Sequence, residues 1–126
     1  MAYSATVTVT KVSSDTDYLV TVEETDAAAT SEFEIEGLPF SGRILRYTSV
    51  LTSGTGTTVD PIVGFATNPS GINVILENGT PDATIDVTPD PATYYVGKKF
   101  FVRSKVDAGT NNSISTRILI RGTFGR

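Results

Sequence analysis

The sequence predicts an all-β fold, a single-domain β-sandwich or jelly-roll-like barrel of about eight or nine short antiparallel strands. Apolar and polar residues alternate with a period of two in successive segments rich in Val, Ile, Thr and Tyr. Clusters of Gly, Pro, Asn and Asp separate these segments at short intervals. The only cluster of alanines, residues 27–29, lies between two alternating segments and does not belong to a helical pattern.

Residues 1–126 are expected to form one β domain with one hydrophobic core. The length is close to the commonest domain size, and a chain of this length buries roughly two thirds of its unfolded surface. No linker or internal repeat divides the sequence. Cysteine is absent, so side-chain packing rather than disulfide bonds must hold the fold together.

The first three predicted strands are Tyr3–Val12, Tyr18–Glu23 and Ser31–Glu36. The first of them has Ser4, Thr6, Thr8 and Thr10 on one face, and the third has Phe33 and Ile35 on one side and three glutamates on the other. This alternation is typical of an antiparallel sheet with one face in water. We therefore expect the three strands to form a meander.

The middle of the chain predicts a central strand and a hairpin. Arg43–Leu51 has apolar residues on both faces, as expected for a strand near the centre of a sheet, and a short strand is expected around Val63. Asn78-Gly79 is the dipeptide most favoured in tight hairpin turns. It should join strand Ile72–Glu77 to strand Ala83–Val87.

The last third of the chain predicts one short strand and two longer ones. The short strand is Tyr94–Val96. Lys99–Val106 has its apolar residues directed inward and its basic residues mostly outward. Ser115–Phe124 closes the chain, with isoleucines on one face and Arg117 and Arg121 on the other.

The composition argues against an enzyme. The chain has no histidine and no cysteine, which removes the Ser-His-Asp triad, thiol nucleophiles and almost every transition-metal site. The row Glu32, Glu34 and Glu36 has the carboxylates needed for glycoside hydrolysis, but a solvated strand face is the better interpretation. No catalytic residue and no cofactor is expected.

Other candidate sites also have simpler explanations. Asp82, Asp86 and Asp90 offer oxygen ligands for calcium, but they lack the dense spacing of a calcium-binding loop, so they are interpreted as turn residues. No segment has the roughly 18 consecutive apolar residues of a membrane span, so no membrane contact is expected. Nucleic acid is not favoured as a partner, because the net charge is −4 and tryptophan is absent.

Charge is distributed unevenly along the chain. Residues 1–42 contain eight acidic residues and Lys11 as the only basic one, whereas residues 98–126 contain seven basic residues and one acidic residue. The candidate partner-binding residues are the acidic row Glu32, Glu34 and Glu36 and the basic rows Lys99, Arg103, Lys105, Arg117 and Arg121. If the rows are adjacent in one sheet, they pair with each other. If they lie on different sides of the domain, they can join copies of the chain or bind a charged partner. Both alternatives remain open from the sequence.

Three segments carry a resemblance to a known class of proteins: the opening Tyr3–Thr10, the loop Leu51–Pro61 and the ending Arg117–Arg126. With 20 threonines and 11 serines in the chain, they resemble small accessory structural proteins of tailed bacteriophages, especially capsid decoration or cement proteins. The resemblance implies a β-rich domain, often trimeric, that binds the capsid shell and bridges neighbouring subunits. The implied location is the virion, assembled in the host cytoplasm, and the implied partner is the major capsid protein or another virion protein.

Two alternatives accompany this interpretation. One is a structural protein of the tail or of the head-to-tail junction. The other is a carbohydrate- or receptor-binding β module, in which Tyr94 and Tyr95 would provide a stacking platform. The first strand, which is rich in threonine, could also pair edge to edge with another chain.

Overall fold

A computed structural model describes residues 3–13, 17–36, 38, 41–65, 74–77, 80–88, 95–96 and 99–122. These residues contain ten strands in two antiparallel sheets and no helix. The strands are β1 (Ser4–Ser13), β2 (Asp17–Thr25), β3 (Glu32–Ile35), β4 (Gly42–Ser53), β5 (Ile62–Gly64), β6 (Val74–Glu77), β7 (Thr84–Val87), β8 (Tyr95–Val96), β9 (Phe100–Arg103) and β10 (Ser113–Gly122). The predicted all-β fold is confirmed, with two sheets in a sandwich-like arrangement rather than a closed barrel.

The two sheets differ in size. The larger one is six-stranded and has the order β1-β2-β10-β4-β7, with β8 also paired to β4. The smaller one is four-stranded and has the order β3-β9-β5-β6. As its two-sided apolar pattern predicts, β4 lies inside its sheet, between β10 and β7.

The main core lies between the inner faces of the two sheets. Val20 and Val22 of β2 and Ile118 of β10 meet Phe100 and Val102 of β9, and all five are completely buried. Burial of each such side chain stabilises the fold by roughly 1.5–3 kcal/mol. The inward positions predicted for Phe100, Val102 and the isoleucines of the last strand are therefore confirmed, whereas Phe124 lies outside the described residues.

A second, smaller core closes one end of the sandwich. Ala27, Val59, Ile85, Val106 and Ile114 form it. Two loops, 54–58 and 107–112, pack against each other beside it through backbone and side-chain hydrogen bonds. Their close approach requires glycine at position 109, because its φ is +96° and a Cβ there would collide with the backbone of loop 54–58.

The predicted meander is wrong in its third strand. β1 and β2 pair as expected, but β3 belongs to the other sheet and pairs with β9. After β2, Asp26 adopts a left-handed conformation with φ 56°, and Ala27 donates a hydrogen bond to the carbonyl of Asn112. The chain therefore crosses to the four-stranded sheet, where Phe33 and Ile35 face the core.

The predicted hairpin is also wrong. β6 pairs with β5 in the four-stranded sheet, and β7 pairs with β4 in the six-stranded sheet. Asn78-Gly79 lies outside the described residues. A turn dipeptide between two strands does not make them pair with each other when burial of their apolar faces places them in different sheets.

Candidate partner-binding surface

On the outer face of the four-stranded sheet, acidic and basic side chains form ion pairs with each other. Glu32 stands opposite Arg103 in the ladder between β3 and β9, and their Oε2 and Nη2 atoms are 3.5 Å apart. Beside them, the Lys99 Nζ lies 3.0 Å from a carboxylate oxygen of Glu34 and 6.0 Å from the centre of the Phe101 ring. The hydrogen bond with Glu34 raises the pKa of Lys99. On this face the acidic and basic rows are adjacent and pair with each other.

Two further predicted residues lie near this face. The Nζ of Lys105 is 3.8 Å from a carboxylate oxygen of Asp60. Glu36 follows β3 directly and is exposed. Their role in partner binding stays a prediction, as does that of the four paired residues, although the ion pairs already explain why those four charges are present.

The two arginines of β10 lie in the other sheet, on the outer face of the six strands. Arg121 contacts both carboxylate oxygens of Asp17 across the ladder, at 2.9 and 3.1 Å. The register places Arg117 between Thr21 on β2 and Thr48 on β4. Its guanidinium approaches the Ser115 hydroxyl at 3.5 Å, and no carboxylate of the described residues lies within ion-pair distance. Arg117 is therefore the predicted basic residue that keeps its charge available.

Arg117 borders a shallow cavity of about 300 Å³ on this outer face. The other lining residues are Leu19, Arg46, Thr48 and Leu119. Leu19 and Leu119 face each other across β2 and β10, and both are half-buried. Arg46 is held by Asp86 through two hydrogen bonds, at 3.0 and 2.7 Å. The volume is at the lower limit of small-ligand pockets, so the cavity suits a side chain or another small group.

Threonine and serine surround the cavity. One row across the sheet contains Thr8, Thr21, Arg117 and Thr48. On β1, threonines 6, 8 and 10 are all exposed. The surface around Arg117 is therefore polar, and its hydroxyl groups both donate and accept hydrogen bonds. It also carries other charges: the row continues from Thr48 to Asp86, and the Ser115 hydroxyl that Arg117 approaches donates a hydrogen bond to Glu23 at 3.0 Å.

A buried carboxylate lies between the sheets at the end with the second core. Glu24 is 1% exposed, and the hydroxyl of Ser104 lies 2.6 Å from each of its carboxylate oxygens. Burial raises the pKa of Glu24 to about 7, although the hydrogen bond from Ser104 opposes the increase. Burial and then the charge of Glu24 also raise the pKa of Tyr3 above its usual range. Because it is almost fully enclosed, Glu24 does not present its carboxylate to a ligand at the surface.

The proposed turn aspartates have local partners where they are described. Asp82 accepts a hydrogen bond from the backbone N–H of Ala83 at 2.7 Å, and Asp86 pairs with Arg46. Asp90 and Tyr94 lie outside the described residues, as does the side chain of Tyr95. In the described part of the chain, no three carboxylates are grouped so that they could hold a metal ion. Nor does that part contain a helix long and apolar enough to cross a membrane.

Sequence reasoning missed Glu24 and the leucines of the cavity, although each had a signal. The alternation that directs Tyr18, Val20 and Val22 inward also directs Glu24 inward. By the same period, Leu19 and Leu119 point outward among polar residues. Glu24 at an inward position and the two leucines at outward positions are exceptions to the alternation of inward apolar and outward polar residues, and they are visible in the sequence.

Comparison with known proteins adds no relative: no family model, no curated protein and no solved structure matches this chain.

Proposed function

We propose that this protein is a structural virion protein, a capsid decoration or cement protein that binds the outer shell and bridges neighbouring capsid subunits. The proposal places its docking surface on the outer face of the six-stranded sheet. The observation that carries it is the charge of Arg117, which has no carboxylate partner in the described part of the chain. The resemblance of the segments Tyr3–Thr10, Leu51–Pro61 and Arg117–Arg126 to phage decoration proteins favours the same role.

The surroundings of Arg117 favour an acidic side chain of the partner. A guanidinium binds a carboxylate through two parallel hydrogen bonds. Leu19 and Leu119 would be covered by the partner and would exclude water from that ion pair, which strengthens the attraction between the charges. The threonines around the cavity would form the polar rim that is usual at protein interfaces.

Binding to particles that lack the protein tests this role. Virions of the virus that encodes the chain should contain it, as detected by mass spectrometry. Purified chain should also sediment with particles from which it has been deleted. Arg117→Glu should weaken this binding by roughly tenfold or more, most strongly at low salt, because charge reversal at an interface opposes both association and docking.

Lys99→Glu is the matched control, because the proposal places docking on the six-stranded sheet and gives the predicted partner-binding residue Lys99 no part in it. It makes the same change in net charge on the outer face of the other sheet, where Lys99 pairs with Glu34. We expect it to leave particle binding close to that of the wild type. Equal losses for the two variants, or absence of the chain from virions, would contradict the proposal.

The two alternative functions give different results. A tail or junction protein should assemble into rings or tubes and be found in tail fractions rather than on the shell. A carbohydrate-binding module should bind glycans on an array and show no association with particles.

A further inference from the structure

The first strand forms an open edge of the six-stranded sheet. Along its length β1 pairs with β2, from Ser4 opposite Thr25 to Ser13 opposite Asp17. Within the described residues, no strand pairs with its other side. Every second backbone N–H and C=O group of β1 is therefore directed away from the sheet, where a further strand could bond to it.

The β1 edge lacks the features that usually prevent strand pairing. Proteins protect their sheet edges with short strands, charges, proline or bulges. From Ser4 to Thr10, β1 has no charge and no proline. Lys11 and the irregular register between Lys11 and Ser13 come only near its end.

The other edge strands are better protected. β3, β6 and β7 have four residues each, compared with ten in β1. β3 presents Glu32 and Glu34 on its outer side, and β7 presents Asp86. Because it is long, uncharged from Ser4 to Thr10 and rich in β-branched residues, β1 is the edge best suited to accept another strand.

The side chains of β1 are also incompletely covered. Ala5, Val7 and Val9 point toward the main core but remain half-buried, and Val12 is 46% exposed. Another strand beside β1 would cover the apolar row of Ala5, Val7 and Val9. Hydrogen bonding and apolar burial would then act together.

We propose that the β1 edge pairs antiparallel with the β1 edge of a second copy of this chain, which produces a dimer with two-fold symmetry. The segment Thr6-Val7-Thr8-Val9-Thr10 reads the same in both directions. When two copies pair antiparallel about Thr8, every threonine of this segment faces a threonine, and Val7 of each copy faces Val9 of the other. The threonines share the outer face and the valines the inner face, so both faces continue across the dimer.

Charge and sheet size are compatible with this dimer. In the register centred on Thr8, the two Lys11 residues lie about 20 Å apart along the strands, so their repulsion is screened. The chains would share one continuous sheet, which joins the order β1-β2-β10-β4-β7 of each copy at β1. Isologous pairing of this kind closes at two copies. It favours a dimer over the trimer that the resemblance to decoration proteins implies.

Two charge variants test both the edge and the register. In the dimer, position 6 of one copy faces position 10 of the other. The double variant Thr6→Lys, Thr10→Lys should therefore raise the dissociation constant of the dimer by about tenfold or more. The matched variant Thr6→Lys, Thr10→Glu places opposite charges across the interface and should remain dimeric. Size-exclusion chromatography with light scattering measures both, and circular dichroism checks that each variant is folded.

Cysteine cross-linking provides a second test that does not depend on the charge variants. The chain has no cysteine of its own, so Thr8→Cys introduces a single thiol. Two such thiols would face each other at the dimer axis and form a disulfide on mild oxidation. Thr21→Cys is the control, because Thr21 lies opposite Thr8 on β2 and its copies would be about 14 Å apart.

The expected result is a wild-type dimer, a monomeric Lys/Lys variant and a disulfide at position 8 alone. A wild-type monomer, a trimer, equal behaviour of the two charge variants or equal cross-linking at positions 8 and 21 would each overturn the proposal. The dimer is independent of docking through Arg117, since a chain that fails to bind particles can still pair through β1.

Discussion

The end of the sandwich around Glu24 and Asn112 and the outer faces of the two sheets are both rich in polar groups, but these groups are partnered differently. Inside, the Asn112 side chain makes three hydrogen bonds, to the N–H of Gly56 and to the carbonyls of Ala27 and Ala108. Glu24 has the Ser104 hydroxyl close to its carboxylate. Outside, most of the carboxylates and basic groups discussed above form ion pairs across neighbouring strands.

This difference shows where polar groups control stability and where they are available for function. A buried amide with all its partners stabilises the loops that it joins, and a buried carboxylate opposes folding when it is ionised. Exposed ion pairs contribute little, because water and salt screen them. Surface charges such as Arg117 can therefore serve partner binding at little cost to the fold.

Removal of the Asn112 side chain should have the largest effect. Asn112→Ala leaves the buried carbonyl of Ala27 and the part-buried N–H of Gly56 and carbonyl of Ala108 without their side-chain partner, and we expect a loss of about 3 kcal/mol in the free energy of unfolding. Urea denaturation measures it. Thr110→Ala, which removes an exposed side chain from the same loop, should change stability little. Equal effects of the two substitutions would mean that the buried hydrogen bonds of Asn112 do not hold this end together.

Replacement of Glu24 should have an effect of similar size at high pH but of opposite sign, and this effect should depend on pH. Burial raises the pKa of Glu24 from its ordinary 4.5 to about 7. Between these values the folded chain holds one proton more than the unfolded chain, so the contribution of Glu24 to stability falls as pH rises from about 4.5 to about 7. Glu24→Gln removes this loss and should stabilise the protein at pH 8 by about 3 kcal/mol. Below pH 4 the stabilisation should disappear.

Thermal unfolding of wild type and variant across this pH range provides the measurement. The control is Glu23→Gln on the adjacent, exposed position of β2, where we expect little change at any pH. A stability difference between the Glu24 variant and the wild type that stays constant from pH 4 to pH 8 would show that the buried carboxylate does not titrate in this range.

Loss of a surface ion pair should have the smallest effect. Asp86 accepts two hydrogen bonds from Arg46 on the outer face of the six-stranded sheet, and these bonds lower the pKa of Asp86. Both residues are exposed, so Asp86→Asn should lower the melting temperature only slightly at low salt and not measurably at high salt. A large decrease in melting temperature that does not depend on salt would contradict this comparison, because an exposed ion pair would then contribute as much to stability as the buried polar groups do.

Much of this molecule could be predicted from local patterns. Period-two alternation identified the strands and the inward positions of Phe100, Val102 and Ile118. The inward register of Glu24 was visible in the same alternation, but its consequences depend on its neighbours. The partners of β3 and β7 could not be predicted, because either sheet offered an apolar face to cover.

The candidate binding surface illustrates the same limit. Arg103 and Arg117 have similar sequence surroundings, because each has one apolar and one hydroxyl-bearing neighbour and lies on the outward face of a strand. Cross-strand register separates them, since Arg103 faces Glu32 and Arg117 faces Thr21 and Thr48. Partners that lie some seventy or more residues away along the chain leave no trace in a local pattern.

By itself, the sequence determined that the protein is built from strands and that it has no imidazole or thiol for chemistry, because alternation and composition are local properties. Only the tertiary structure decided which strands pair, which charges are neutralised and which edge stays open. These outcomes depend on contacts between distant segments, and such contacts are selected by burial of the whole core rather than by the residues of any one strand.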